Sequence, residues 1–327
     1  MSLQIIATLG PASASAEGVR ALLDAGATGL RVNGSHTDPE QLGRYLDLAE
    51  AGGAPLSAVV LDLQGGKTRL AHWEGEVQVT RDAPVTLTGP DGPGALRVDR
   101  EELIQALRPG DALRVDDGRY AFEVLAVSST SATLRPLQTA ALRPRKGVSV
   151  PGRPLHLPPR LLGRDLALAE IALGRGVGEV ALSFASEVGW LAEGRSRLPG
   201  VRLTAKLEQP QAIDAIDALS EAADSLWLCR GDLGAEAGLT ALSALQRGAL
   251  DAGRPLLVAG QVLHHMTYHP RPTRAEVCQV GDLLYAGALG FVLSDETATG
   301  PHGPAAVRLL HELARGAPPP RALTPER

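Results

Sequence analysis

Ionisable side chains follow several short apolar runs of this sequence, at the positions where predicted strands end. The clearest case is Lys206-Leu207-Glu208, where an alternation of two places an ammonium and a carboxylate on the same face of one strand. Burying such charges is costly unless they are paired, so chemistry is the favoured reason for keeping them. The alternative is the ordinary polarity of strand-to-helix loops.

A second carboxylate, Asp232, follows the next predicted strand and is expected beside Glu208. Two carboxylates from adjacent strands suit Mg²⁺, which takes one or two protein carboxylates and leaves its other positions to water and substrate oxygens. Three cations, Arg31, Arg69 and Lys206, follow or end other predicted strands. Two carboxylates for a metal together with three cations for an anion favour phosphoryl transfer, because that reaction needs positioning and charge neutralisation.

Eight apolar runs, each expected to be a strand, would position these residues. They lie at residues 3–8, 29–32, 57–61, 179–183, 201–206, 225–229, 255–259 and 290–293. They alternate with helical patterns at residues 16–25, 39–51, 165–174, 212–222, 239–252, 274–286 and 304–314. Runs that are apolar on both faces are typical of a parallel sheet covered by helices. Eight β/α units in 327 residues favour an α/β fold of the TIM-barrel type, a (β/α)8 barrel, over an open doubly wound sheet. No glycine-rich dinucleotide or P-loop motif follows any run.

Residues 71–152 have a different pattern, in which apolar and polar residues alternate between Gly, Pro and Asp turns. This pattern predicts a small antiparallel β domain inserted after the third barrel strand. The predicted domains are therefore a barrel of residues 1–70 and 153–316, an inserted lid of residues 71–152, and a disordered tail of residues 317–327.

The net charge, the lengths of the apolar runs and the cysteine count limit the kinds of partner and location expected for the protein. The net charge of −5 gives no footprint for nucleic acid, and no run approaches the length of a membrane span. The first residues enter a strand-like run directly, so no leader is expected and a cytoplasmic location is the default. The two cysteines, Cys229 and Cys278, cannot form a disulfide framework.

The strand-end motifs resemble those of the pyruvate kinase family, in the family's order. The matching stretches are ATLGPAS (7–13), LRVNGSH (30–36), LDLQGGKTR (61–69), PRKGVSVPG (144–152), ALSF (181–184), AKLEQ (205–209), CRGDLG (229–234), PRPTRAEV (270–277) and LSDETATG (293–300). The resemblance implies a short form with the barrel and the lid and without the family's C-terminal domain. It also implies a barrel-to-barrel homodimer or a monomer.

What the resemblance implies for individual residues can be carried over position by position. Lys206 resembles the lysine that stabilises the phosphoryl group in flight, Glu208 and Asp232 resemble the ligands of Mg²⁺ or Mn²⁺, and Ser294 with Glu296 lies in the proton-relay region. The implied catalytic set is Lys206, Arg31, Arg69, Ser294 and Glu296. The implied substrate-binding set is Arg31, Asn33, Arg69, Ser183, Phe184, Lys206, Gly231 and Asp232, with the backbone amides of Gly231 and Asp232 holding a carboxylate.

The family's monovalent-cation site is altered. Asn33, Ser35 and Asp62 remain, but Leu63 replaces the family's threonine and Lys67 replaces its glutamate. A fixed ammonium at Lys67 would stand in for K⁺, so activity is expected to be independent of K⁺. The alternative is that Lys67 is a solvated loop lysine.

Three further departures affect the chemistry. Gly260 stands where the family has the threonine that helps to deliver a proton to the enolate carbon, Thr299 replaces a lysine that reaches toward the nucleotide, and Asp295 replaces a glycine. Loss of a proton donor commonly costs about 10² to 10⁴ in rate, although a water can occupy the space that glycine leaves.

The resemblance favours a Mg²⁺-dependent glycolytic kinase that converts phosphoenolpyruvate and ADP to pyruvate and ATP. Two alternatives stay open. One is a Mg²⁺-dependent decarboxylase or lyase of 2-oxo acids such as oxaloacetate on the same barrel site. The other is a non-catalytic homologue that binds phosphoenolpyruvate, against which the retention of buried charges argues.

Overall fold

The computed structural model describes residues 3–116, 118–152 and 157–321. These residues form sixteen strands: β1 Gln4–Thr8, β2 Gly29–Asn33, β3 Val59–Leu63, β4 Val77–Val79, β5 Val85–Thr88, β6 Leu96–Arg97, β7 Ala112–Val115, β8 Tyr120–Val127, β9 Ser131–Pro136, β10 Ala140–Leu142, β11 Val148–Ser149, β12 Glu179–Leu182, β13 Arg202–Leu207, β14 Ser225–Cys229, β15 Leu256–Ala259 and β16 Gly290–Leu293.

The α-helices of the described residues are α1 Ala16–Asp24, α2 Pro39–Gly52, α3 Glu102–Ala106, α4 Gly163–Gly174, α5 Val188–Arg197, α6 Pro210–Asp214, α7 Ile216–Ala222, α8 Arg230–Ala237, α9 Leu239–Asp251, α10 Arg274–Tyr285, α11 Asp295–Ala298 and α12 Gly303–Gly316. Short 3₁₀ helices occupy Pro11–Ser13, Gly34–His36, Leu56–Ala58 and His264–Thr267. None of these helices is both long and apolar enough to cross a lipid bilayer.

The chain divides into two compact units. Unit 1 comprises Met1–Gly65, Arg160–Gly231 and Leu242–Arg327, and unit 2 comprises Gly66–Pro159 and Asp232–Ala241. The sequence predicted the barrel and the insert, and both are present as separate sheets.

Unit 1 is a closed barrel of eight parallel strands in the order β1-β16-β15-β14-β13-β12-β3-β2. This confirms the predicted (β/α)8 fold. The barrel closes by pairing β1 with β16, in a register that sets Ile5 opposite Phe291. Its interior is filled by apolar side chains with a single large ring, namely Ile6, Val60, Ala181, Trp227, Leu257 and Val292. Such layers of branched side chains make a packed core and leave the carboxyl ends of the strands to carry polar groups.

Unit 2 contains a six-stranded sheet in the order β11-β7-β8-β9-β5-β6 and a separate pair, β10-β4. All pairs are antiparallel except β5 with β6. Its core is a cluster of buried apolar residues that includes Phe122 and Trp73. The presence of this unit confirms the predicted small β domain inserted after the third barrel strand.

Several elements differ from the sequence prediction. The third barrel strand is Val59–Leu63, two residues later than predicted, and includes the charged Asp62. The helix predicted over residues 212–222 is two helices, α6 and α7, which meet at Ala215. Helix α5 was not predicted. Part of the predicted tail, residues 322–327, lies outside the described residues, and within residues 317–321 the Arg321 amide donates to the Tyr285 carbonyl at 2.8 Å.

Candidate active site

The carboxyl ends of β3, β12 and β13 bring a buried ammonium group between two carboxylates. Lys206 Nζ lies 3.0 Å from Asp62 Oδ1 and 2.9 Å from Glu208 Oε1, with side chains that are 8%, 2% and 1% exposed. The ammonium also donates to Ser183 Oγ at 2.7 Å. All three N–H bonds of the ammonium therefore have an oxygen partner, which is what makes its burial tolerable.

Arg31, at the end of β2, joins this cluster through Asp62. Its Nη2 lies 2.6 Å and its Nε 2.8 Å from Asp62 Oδ2, so the guanidinium makes two bonds to one oxygen. Arg31 Nη1 donates to Thr8 Oγ1 at 2.9 Å, and the Thr8 hydroxyl donates to the Leu293 carbonyl at 2.7 Å. Asp62 is thus the shared partner of both cations of unit 1 that the sequence assigned to catalysis.

Opposite charges outweigh burial in setting the protonation of this cluster. Burial alone would raise the pKa of Asp62, but the cations Lys206 and Arg31 hold that pKa below its usual value. Burial alone would lower the pKa of Lys206, but the carboxylates of Asp62 and Glu208 raise it. The carboxylate and the ammonium therefore stay charged at neutral pH, as ligands for an anion and a cation must.

Glu208 is fixed by the backbone as well as by Lys206. Its Oε2 accepts from the Phe184 amide at 2.9 Å, and Phe184 is held at φ 57°, a left-handed conformation that is uncommon for an aromatic residue. Strained backbone of this kind concentrates at functional sites. Phe184 thus aims its amide at the carboxylate.

The loop after β15, which carries Gly260, is held by a buried arginine. Arg230 Nη2 donates to the Gly260 carbonyl at 2.6 Å and to the Gln261 carbonyl at 3.0 Å. Burial lowers the pKa of the Arg230 guanidinium to about 10, against the attraction of Glu296. Gly260 and Gln261 both have positive φ, 84° and 51°, so the loop takes a conformation that favours glycine at position 260.

The predicted relay residues Ser294 and Glu296 lie beside that loop. Glu296, 1% exposed, accepts from the Leu263 amide at 3.1 Å and from the Ser294 amide at 2.8 Å. Its carboxylate therefore fixes both the loop after β15 and the start of α11. Ser294 and Glu296 form a second cluster of unit 1, distinct from the one around Lys206.

Three predicted site residues fall in unit 2. Lys67 and Asp232 form an ion pair with side chains that are 11% and 23% exposed. Arg69 donates through Nη1 to the Arg145 carbonyl at 2.9 Å, and its backbone amide donates to Asp99 Oδ1 at 2.9 Å. Within unit 2 the structure therefore joins Lys67 to Asp232, one of the two predicted metal ligands.

The remaining predicted residues of unit 1 occupy backbone turns. Asn33 Oδ1 accepts from the Ser35 amide at 3.2 Å and caps the short 3₁₀ helix that contains the buried Ser35. Gly231 is the second residue of α8. Asn33 therefore fixes the loop after β2.

Two carboxylates of the predicted site are candidate donors to a divalent metal. Among the described residues, no group of three or more His, Cys, Asp and Glu side chains could hold a metal by itself. Glu208 and Asp232 supply hard carboxylate oxygens, and Mg²⁺ takes as few as one or two protein carboxylates when a substrate brings further oxygens. Each of the two carboxylates is therefore a donor of the kind that Mg²⁺ accepts.

Sequence reasoning did not assign roles to Thr8, Arg230 or Asp165. Thr8 ends β1 and Arg230 directly follows β14, so the rule that found Lys206 also picks out both residues, but it gave them no role. Asp165 was included only as the first residue of a predicted helix. In the structure its buried carboxylate accepts hydrogen bonds from the Gln64 and Gly65 amides at 3.2 Å and 2.9 Å.

A (β/α)8 barrel with a β unit inserted after its third strand and a lysine–carboxylate cluster at the strand ends defines the class of the protein. The family model for the pyruvate kinase barrel domain matches residues 1–307. The chain belongs to the pyruvate kinase family.

Individual relatives agree with this assignment. Two pyruvate kinases of Agrobacterium vitis are 35% identical over 311 residues and 36% identical over 326 residues, which is 91% and 95% of this chain. A pyruvate kinase of Methylorubrum extorquens is 33% identical over 323 residues, 95% of this chain. The chain spans 65% of the length of the first of these relatives and 67% of the other two.

The lysine–carboxylate cluster predicts a pH-dependent contribution to stability. Asp62→Asn leaves Arg31 without its carboxylate partner, so unfolding free energy at about pH 7 should fall by about 3 kcal/mol, the lower end for a broken buried pair because Glu208 still pairs with Lys206. The lowered pKa of Asp62 makes its contribution fully present above the unfolded value, about 3.9, and lost as pH falls through the folded value.

Urea unfolding of both proteins checks this prediction. The difference between wild type and Asp62→Asn should be largest near neutral pH and should shrink below about pH 4. A difference that stays constant through this range would contradict the assigned role of Asp62.

The conformation of Gly260 predicts the effect of adding a methyl group there. A Cβ at position 260 would lie 3.1 Å from the Gly231 amide nitrogen on a backbone with φ +84°. Gly260→Ala should therefore lower the free energy of unfolding by about 1–2 kcal/mol. The matched control is Gly281→Ala in α10, where the Cβ meets nothing within 4 Å and alanine should stabilise the helix by up to about 1 kcal/mol. Equal effects of the two changes would show that the backbone conformation of Gly260 has no special cost.

Proposed function

We propose that the protein catalyses phosphoryl transfer between phosphoenolpyruvate and ADP, giving pyruvate and ATP. The observation that carries the proposal is the Lys206 ammonium, which is buried between Asp62 and Glu208 and points one N–H bond at Ser183. An ammonium held in this way supplies a fixed positive charge that can offset charge on a nearby phosphoryl group, and such electrostatic stabilisation is commonly the largest contribution that a protein makes to these reactions.

The reaction breaks the bond between phosphorus and the enol oxygen of phosphoenolpyruvate, and a β-phosphate oxygen of ADP forms the new bond to phosphorus. Lys206 would offset charge on the phosphoryl oxygens, and Arg31 and Arg69 would contact phosphate. We propose Glu208 and Asp232 as the ligands of Mg²⁺, or Mn²⁺, which when bound supplies Lewis-acid stabilisation of the phosphate oxygens. Asn33, Ser183, Phe184 and the Gly231 and Asp232 amides complete the proposed substrate-binding set.

The product of that step is the enolate of pyruvate, which must gain a proton at its methylene carbon. Gly260 brings no hydroxyl to the loop after β15, and Arg230 binds its carbonyl. Ser294 and Glu296 are retained next to this loop, with Glu296 bonded to two backbone amides. A water oriented by this cluster is the proposed source of the proton.

A second candidate function follows from the same feature. A Mg²⁺-dependent decarboxylase of oxaloacetate would use Lys206 to stabilise an enolate and would not need nucleotide contacts. The change to Thr299, an exposed residue that bonds only to the Asp295 carbonyl in the described structure at 3.2 Å, favours this candidate. A non-catalytic phosphoenolpyruvate-binding protein is the third, and the intact buried charges argue against it.

The decisive assay supplies the purified protein with phosphoenolpyruvate, ADP and Mg²⁺ and detects pyruvate, and separately supplies oxaloacetate without nucleotide. Turnover of phosphoenolpyruvate is the expected result. Activity with oxaloacetate alone would overturn the proposal in favour of the decarboxylase, and binding of phosphoenolpyruvate without either reaction would favour the third candidate.

Lys206→Met ties the activity to this cluster. Removing the ammonium should lower kcat by about 10² to 10³, because a preorganised positive charge that stabilises the transition state is lost. Arg254→Met is the control, since Arg254 pairs with the exposed Asp217 away from the cluster. Circular dichroism establishes that both variants are folded, and equal activities of the two variants would show that Lys206 has no role in the reaction.

We propose independence from K⁺ because Lys67 replaces the glutamate of the family's monovalent-cation site and its ammonium is fixed by an ion pair with Asp232. A side-chain ammonium already supplies a fixed positive charge beside Asp232. Replacing KCl by tetramethylammonium chloride at equal ionic strength should therefore change the rate by less than about two-fold. Lys67→Met should lower the rate, and KCl should restore part of the lost activity of this variant. Several-fold stimulation of the wild type by KCl would contradict this expectation.

A further inference from the structure

Asp165, in the first turn of α4, is a buried carboxylate with no place in the proposed reaction. It is 1% exposed, and its two oxygens accept from two consecutive backbone amides of the turn after β3. Asp165 Oδ1 lies 3.2 Å from the Gln64 nitrogen and Oδ2 lies 2.9 Å from the Gly65 nitrogen. Hydrogen bonds to an ionised acceptor are about twice as strong as neutral ones, so this carboxylate fixes the turn firmly.

The same turn packs against Ser183 on its other side. Ser183 Oγ donates to the Leu63 carbonyl at 2.9 Å, and the Ser183 amide donates to that carbonyl at 3.4 Å. Gly65 has φ +56°, and a Cβ there would overlap the Ser183 carbonyl oxygen. The turn therefore lies directly between the Asp165 carboxylate and Ser183, and only glycine permits so close an approach at position 65.

Ser183 connects this turn to Lys206 through a hydrogen bond. Its hydroxyl oxygen accepts from the Lys206 ammonium at 2.7 Å and lies 2.9 Å from the Leu63 carbonyl oxygen and 3.4 Å from Asp62 Oδ1. Because the Leu63 carbonyl is the nearer acceptor for the hydroxyl, a shift of the turn would change the position of the oxygen that Lys206 contacts.

The residue before Asp165 holds the neighbouring loop. Arg164 donates through Nη1 to the Ser35 carbonyl at 3.4 Å and through Nη2 to the Thr37 carbonyl at 2.8 Å. The first turn of α4 thus binds carbonyl groups of the loop after β2 and amide groups of the turn after β3. An acidic residue in a first helical turn is commonly there for the helix dipole. Asp165 differs because both of its oxygens are engaged by amides outside its own helix.

We propose that Asp165 is a positioning residue that sets the orientation of Lys206 through the Leu63–Gly65 turn and Ser183. The proposal rests on the proposed function, in which Lys206 meets the phosphoryl group. Asp165 itself does not touch substrate.

Asp165→Asn is the informative change, because it keeps the size of the side chain and turns one acceptor into a donor. An NH₂ group facing the Gln64 or Gly65 amide cannot accept its hydrogen bond, so the turn has to shift. Supporting partners of this kind are commonly worth about 10- to 100-fold in activity, and we expect kcat for phosphoenolpyruvate to fall by that factor with KM for ADP unchanged.

A double-mutant cycle with Ser183→Ala distinguishes positioning through Ser183 from general destabilisation. If Asp165 acts through the Ser183 hydroxyl, Asp165→Asn in the Ser183→Ala background should cost no more than about two-fold in kcat/KM beyond Ser183→Ala alone. The matched control is Asp224→Asn, which removes a carboxylate that accepts from the Leu203 amide at 2.8 Å near the start of β13. The small effect of Asp224→Asn on kcat/KM should multiply with the effect of Ser183→Ala.

Multiplying effects of Asp165→Asn and Ser183→Ala would overturn the proposal, and so would an unchanged kcat in Asp165→Asn. If Asp165→Asn does not fold, Asp165→Ser replaces it, since its hydroxyl oxygen can accept without placing an NH₂ group against the turn. If the wild type does not turn over phosphoenolpyruvate, the proposed function fails, and the same cycle is read on the affinity for phosphoenolpyruvate by titration calorimetry. Coupled losses of affinity would still support the role of Asp165, and independent losses would overturn it.

Discussion

The burial of one ammonium between two carboxylates is the constraint on which the rest of unit 1 depends. Lys206 can remain charged inside the barrel only because Asp62 and Glu208 lie 3.0 Å and 2.9 Å from it. These groups come from two strands that flank β12, so the strands must keep their register. A slip of one residue would turn every side chain of a strand to its other face and leave a buried charge without a partner. The strand ends are therefore specified more strictly than their apolar sequences require.

Much of the barrel could be predicted because parallel strands covered by helices are apolar on both faces. β14 and β16 begin and end where the pattern placed them. β3 was placed two residues too early, because a charged residue at position 62 reads as the start of a loop. Its partners Arg31 and Lys206 make it a buried strand residue, and these partners are distant in sequence. Helix α5 was missed because its sequence, VGWLAEGRSR, contains two glycines and only a weak apolar face.

The site was predictable in its residue types and much less so in its contacts. Alternation along residues 206–208 predicted that Lys206 and Glu208 share one face, and in the structure their side chains lie 2.9 Å apart. The shared use of Asp62 by two cations depends on pairing among three strands, and sequence pattern does not report it. The sequence pattern also does not report the positive φ angles of Gly260 and Phe184. Each is imposed by a distant partner, Arg230 in one case and Glu208 in the other.

The pairing of β1 with β16 has a consequence for how the protein is made. The Thr8 hydroxyl bonds to the Leu293 carbonyl, so the first barrel strand cannot be sealed until the last one has left the ribosome. Asp62 and Lys206 precede β16 in the chain, so both are synthesised before the barrel can close. Closure of the barrel by β16 therefore follows the synthesis of every charged group of the cluster around Lys206.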